Sequence, residues 1–122
     1  MSLNVLHPGQ SKGLYHAENA QEDFLVLAGE CVLIVEGQER TLRPWDLFHC
    51  PAWTEHVVVG AGNGPCVVLA VGSRVQPLEI RFPVNDAALR RGAGTTEELT
   101  SSRDVWPLLD FHDGAYRPGD LP

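Results

Sequence analysis

From His16 the chain reads His16-Ala17-Glu18-Asn19-Ala20-Gln21-Glu22-Asp23-Phe24-Leu25-Val26-Leu27-Ala28-Gly29: a short alternating segment, a polar turn, and an apolar run closed by glycine. On a strand, residues two apart point to the same face, so His16 and Glu18 share one side. The turn at residues 19–21 brings Glu22 alongside them. His56 lies further on, beyond a hairpin and the Pro51 loop, and returns to the same interior if the sheet closes on itself. Imidazole nitrogen and carboxylate oxygen together suit a first-row divalent ion, and two carboxylates favour hard ions such as Mn or Fe. Spacing alone is also compatible with a solvated acidic surface.

Outward from this stretch the sequence is strand after strand. Residues 13–18 alternate, Phe24–Ala28 and Cys31–Val35 are continuous apolar runs, and Glu36-Gly37-Gln38 is a hairpin turn. Returning strands are predicted over 39–42, 47–50, 55–59, 66–71 and 77–82. Short strands between frequent turns imply a sandwich or barrel. Because 24–28, 31–35 and 66–71 are apolar on both faces, something must cover the outside of the barrel. The segment after Pro83 changes character: Asn85 to Arg91 has an N-cap, helix formers and Gly92 as a stop. Residues 1–82 are therefore read as the barrel and 83–122 as a partly helical tail docked on it or on a partner subunit, with Val105, Trp106, Leu108 and Leu109 expected to be buried.

Composition narrows the partners. The 122 residues carry 9 Lys plus Arg against 16 Asp plus Glu, a net charge of -7 that disfavours the phosphate backbone of nucleic acid. Lys12 is the single lysine, so no lysine-rich patch meets anionic lipid. No apolar run approaches a bilayer span and the first residues lack signal-peptide texture, so a cytoplasmic location is expected. Cys31, Cys50 and Cys66 form no paired motif and are read as small buried hydrophobes.

The spacing resembles the two conserved motifs of the cupin superfamily. The first runs glycine, five residues, His-X-His, three or four residues, Glu, six residues, Gly; here His16, Glu18, Glu22 and Gly29 fall in step. The second runs glycine, five residues, Pro-X-Gly, two residues, His, three residues, Asn; here Trp45, Pro51, Trp53, His56 and Gly60 fall in step. The departures are Gln10 for the opening glycine, Glu18 for the second histidine, Trp45 and Trp53 for two glycines, and Gly60 for the closing asparagine. The resemblance implies an all-β jelly-roll barrel with an interior metal site. Carried over by position, His16, Glu22 and His56 would be ligands for Mn, Fe or Zn, with Glu18 as a substituted fourth.

Other residues are read in that setting. Neighbours alternate, so one of His49 and Cys50 faces inward; His49 is a pocket-lining or proton-transferring candidate, or a structural histidine. Glu18 is the other proton-transfer candidate. Trp45 and Trp53 are aromatic walls of a substrate pocket or packing anchors. His7 and His112 are read as surface residues near the ends of the chain. Two functions follow: a metal-dependent enzyme acting on a small organic molecule, of dioxygenase, isomerase or decarboxylase type, or a small-molecule binding module without turnover. A homodimer is expected, since the apolar outer surface of the barrel needs a cover.

Overall fold

The computed structural model describes residues 1–109, 115 and 117–121; His112 lies outside them. The strands, in chain order, are β1 (Ser2–Leu6), β2 (Ala17–Glu18), β3 (Glu22–Ala28), β4 (Glu30–Val35), β5 (Gln38–Leu42), β6 (Leu47–Cys50), β7 (His56–Ala61), β8 (Cys66–Gly72) and β9 (Ile80–Arg81). They form a four-stranded sheet in the order β1-β8-β3-β6, a three-stranded sheet β5-β4-β7, and the small pair β2-β9, with every pairing antiparallel. This is an all-β jelly roll. Residues of both larger sheets meet between them in one core: Leu6, Phe24, Val26, Leu33, Val58 and Val68, with the cysteines Cys31, Cys50 and Cys66, are all buried. Fully burying a Leu, Val or Phe side chain is worth roughly 1.5–3 kcal/mol, which makes this layer the main stabilising element.

Alternation along β4 explains why it is apolar on both faces. Cys31, Leu33 and Val35 point into the barrel, whereas Val32 and Ile34 point outward into a second cluster with Tyr15, Val57 and Val59. That outer face is covered by Ala87, Ala88 and Ala93, the first two on helix α1 (Asp86–Arg90). The helix begins where Asn85 accepts a hydrogen bond from the Ala88 N–H, the capping its sequence predicts. A second short helix, α2 (Ser102–Val105), buries Val105 against Leu14 and Phe82. Trp106 and Leu108, expected to be buried, are instead 67% and 60% exposed. The helix is one turn long and runs into a 3-10 turn, so it presents only Val105 and, in part, Leu109 to the barrel.

Residues 13–18 are not one strand. Gly13 has φ +77, and beyond it only Ala17–Glu18 pairs as a strand, with His16 bridging to His56. The segment 77–82 likewise contracts to Ile80–Arg81 and a bridge from Phe82 to Leu99. The outer face of the four-stranded sheet keeps an apolar row. Leu3, Leu69, Leu25 and Leu47 are directly opposed across its four strands and form a continuous row, with Leu3 and Leu47 exposed.

Gly29 ends β3 because nothing else fits. Its φ is +73, and a Cβ there would lie 2.4 Å from the Pro65 carbonyl oxygen. The motif asparagine position, Gly60, is equally tight: a Cβ would stand 2.3 Å from the His7 carbonyl oxygen, since β1 leads the chain directly over it. Trp45 and Trp53, at positions where the motif has glycine, adopt a left-handed backbone, at φ +73 and +66.

Candidate metal centre

Three of the four expected ligands converge. His16 and His56 form a backbone-bonded pair, His16 N–H to His56 C=O at 3.1 Å and the reverse at 2.9 Å, so their side chains leave the same face. Their rings lie 4.6 Å apart, centroid to centroid. Glu22, the first residue of β3, reaches between them: its Oε2 is 2.9 Å from His56 Nε2 and 3.5 Å from His16 Nε2. Ligand atoms of all three lie within 4.8 Å of one another. Each imidazole is held from behind by the carbonyl two residues earlier, His16 Nδ1 by Leu14 O at 2.7 Å and His56 Nδ1 by Thr54 O at 2.9 Å. Carbonyls only accept, so both Nδ1 atoms carry hydrogen and both Nε2 atoms are the ligating ends. This donor set fits a divalent transition metal: two oriented imidazoles, one carboxylate and an ordered outer layer.

The charges agree with that reading. Burial alone would raise the Glu22 pKa, but His16, His56 and the Lys12 ammonium hold it far below the usual carboxylate range. Burial would lower the pKa of His56; the contacts with Cys50, Glu22 and the Thr54 carbonyl outweigh it and push the pKa up to about 10. Without a metal, the proton on His56 and the Lys12 ammonium face the Glu22 charge.

Glu18 lies close enough to feel the charges of Glu22, His16, His56 and Lys12 but stands outside the group of three. Burial, and then the Glu22 carboxylate, raise its pKa above the ordinary value. The Glu18 carboxylate therefore binds a proton more readily than an exposed one. Trp53 stands beside it, its N–H donating to Glu18 O at 2.6 Å and its ring 5.7 Å from the Arg81 guanidinium.

His49 and Trp45 are placed elsewhere, and the sheet register gives the reason. In the β3–β6 pairing Glu22 opposes Cys50 and Asp23 opposes His49, so Cys50 is the inward neighbour and His49 points to the outer face, where its Nδ1 meets Asp23. Cys50 Sγ lies 3.2 Å from His56 Nδ1. Trp45 precedes β6 at the end remote from Cys50 and is 76% exposed. His7 is exposed.

One participant carries no sequence signal. Lys12 sits in the loop after β1, its backbone N–H fixed to Val58 O at 2.8 Å, and its ammonium lies 3.6 Å from Glu22 Oε1 and 5.5 Å from the centre of the Phe24 ring. A lone lysine follows no spacing rule; only closure of the barrel brings it to the site. Surface depressions of about 410 and 390 Å³ lie elsewhere, one around the 62–65 turn and one between residues 7–14 and Leu108. Neither gathers a donor set comparable to the histidine–carboxylate cluster.

Residues 2–72, more than half of the chain, match the cupin domain family, and the chain belongs to that family. A 5-nitrosalicylic acid 1,2-dioxygenase of Bradyrhizobium sp is 30% identical over 59 residues, 48% of this chain and 28% of that relative. A sugar phosphate isomerase from the cupin superfamily of Silicibacter pomeroyi has 28% identity and a TM-score of 0.61, covering 64% of this chain and 52% of that one. A protein of Thermotoga maritima described as a predicted oxalate decarboxylase has 27% identity and a TM-score of 0.55, covering 60% and 64%. The chain thus spans 28% of the length of the curated relative and about half to two thirds of these two structures. Among the described residues, no helix is long and apolar enough to cross a membrane.

Proposed function

We propose that the protein is a metal-dependent enzyme acting on a small organic molecule, with His16, Glu22 and His56 as ligands of one divalent Mn, Fe or Zn ion. The observation that carries this reading is the pair of Nε2 atoms aimed at one Glu22 oxygen while both Nδ1 atoms are anchored on carbonyls. The relatives named dioxygenase, isomerase and decarboxylase support an enzyme and leave the reaction type open. A bound ion of this kind would polarise an oxygen of the substrate or activate water or dioxygen. The chain's own residues do the rest. The anchored imidazoles fix the coordination geometry, and the buried wall of Phe24 and Phe82 restricts water. Glu18, with its raised pKa, holds or accepts a proton at the edge of the site. Trp53 forms the rim beside it.

Stripping the protein with a chelator, reloading it with each metal in turn and following small hydroxy acids, keto acids and sugar phosphates by NMR tests the reading. Turnover restored by one metal and reduced by Glu18→Gln is expected. Ligand binding with no metal-dependent turnover would support a non-catalytic binding cupin instead. We also propose a homodimer that buries the Leu3–Leu69–Leu25–Leu47 row against a second copy. Light scattering should give about twice 13.4 kDa, and a mass of 13.4 kDa at micromolar concentration would contradict it.

A further inference from the structure

The geometry points to Lys12 as the residue that selects an anionic ligand, a carboxylate placed between its ammonium and the metal position. This inference rests on the metal site proposed above.

Glu22 divides its two oxygens. Oε2 faces both histidines and Oε1 faces the Lys12 ammonium at 3.6 Å, so the lysine stands beside the carboxylate ligand and not among the ligands. Exposure within the cluster is graded. The His56 side chain is only 3% exposed and forms the back of the site, His16 and Glu22 are slightly open, and Lys12 is the most open at 23%. Of these four side chains, Lys12 is therefore the one most accessible to a molecule arriving from solvent.

The charge count gives the sign of that molecule. A divalent ion with neutral histidines and the single negative charge of Glu22 leaves one positive charge, and Lys12 makes two. If Glu18 is ionised, one remains. The site is cationic in either protonation state of Glu18, and it is partly shielded from water, where an unpaired charge is costly. This is the only lysine in a chain of net charge -7, so the local charge runs against the rest of the molecule. A carboxylate with one oxygen toward the metal and the other toward the ammonium satisfies both, and Lys12, a point charge on a flexible stem, can turn from Glu22 to reach it.

The test uses zinc-loaded full-length protein, with zinc content measured first and benzoate and its neutral isostere benzamide as probes in calorimetric titrations. Benzoate should bind at least about tenfold more tightly than benzamide, as loss of a charge-assisted contact implies. Lys12→Met should still take up one zinc but lose most of that preference, and Lys12→Arg should keep it. Equal affinity for the two probes in the wild type, binding of neither, or a preference that survives in zinc-loaded Lys12→Met would overturn the inference while leaving the metal site standing. Wild-type protein that takes up no zinc overturns the metal site, and the inference with it.

Discussion

His16 and His56 form an antiparallel β-bridge: each donates its backbone N–H to the other's carbonyl, and both rings turn Nε2 toward Glu22 Oε2. The backbone pairing that closes this end of the barrel therefore also sets the spacing of the two imidazoles. Any change that disturbs the closure disturbs the site.

Stability of the metal-free protein should depend on pH through this cluster. The folded-state pKa of His56 is raised from 6.5 to about 10, so its contribution is fully present below pH 6.5 and lost as pH rises toward 10. Glu22 is shifted the other way; its contribution is present above pH 4.5 and lost as pH falls below that. The melting temperature of the metal-free form should thus be higher near pH 6 than at pH 9.5, by several degrees. With metal bound, the ion takes the place of the histidine proton and the decline at high pH should largely disappear. Parallel melting curves for the two forms across this range would show that the cluster does not exchange protons for metal.

Glu18 should not be needed to retain the metal. Its carboxylate lies outside the group of three, so Glu18→Ala is expected to keep one metal per chain and lose activity. Glu18→His, which restores the residue of the family motif, should bind zinc more tightly by adding a nitrogen donor. A competition assay with a chromophoric chelator measures both. Loss of metal in Glu18→Ala would make Glu18 a fourth ligand.

Backbone geometry gives two opposite expectations at motif glycine positions. Gly29→Ala places a methyl group against the Pro65 carbonyl at positive φ and should destabilise by about 2–4 kcal/mol, lowering the melting temperature by roughly 10 °C. Trp45 pays for a left-handed backbone with little burial in return. Trp45→Gly relieves about 1–2 kcal/mol of strain and costs about 0.5–1 in chain entropy, so the melting temperature should hold or rise slightly. Thermal unfolding of the two variants side by side decides both.

The central strands, from Glu22 to Gly72, and the histidine–carboxylate spacing were legible because both follow fixed periods, two along a strand and the motif intervals between His16, Glu22, Gly29 and His56. What escaped depends on register and closure. Alternation says that one of His49 and Cys50 faces inward, but only the pairing of Glu22 with Cys50 says which. Lys12 lies far from His56 in sequence and meets the site through a loop hydrogen-bonded to β7. The strand Ser2–Leu6 is half exposed at a sheet edge and alternates weakly. In the tail, apolar content suggested burial of Trp106 and Leu108, yet a one-turn helix can turn only part of that content toward the barrel.

The central claim is that His16, Glu22 and His56 hold a divalent metal. Elemental emission on wild-type protein and on His16→Ala, His56→Ala and Glu22→Gln, each grown with Mn, Fe and Zn and each checked for a cooperative melting transition, tests it most directly. One metal per chain in the wild type, none in either histidine variant and a strong loss in Glu22→Gln is the result predicted; no metal in the wild type, or the same content in the folded histidine variants, would contradict it.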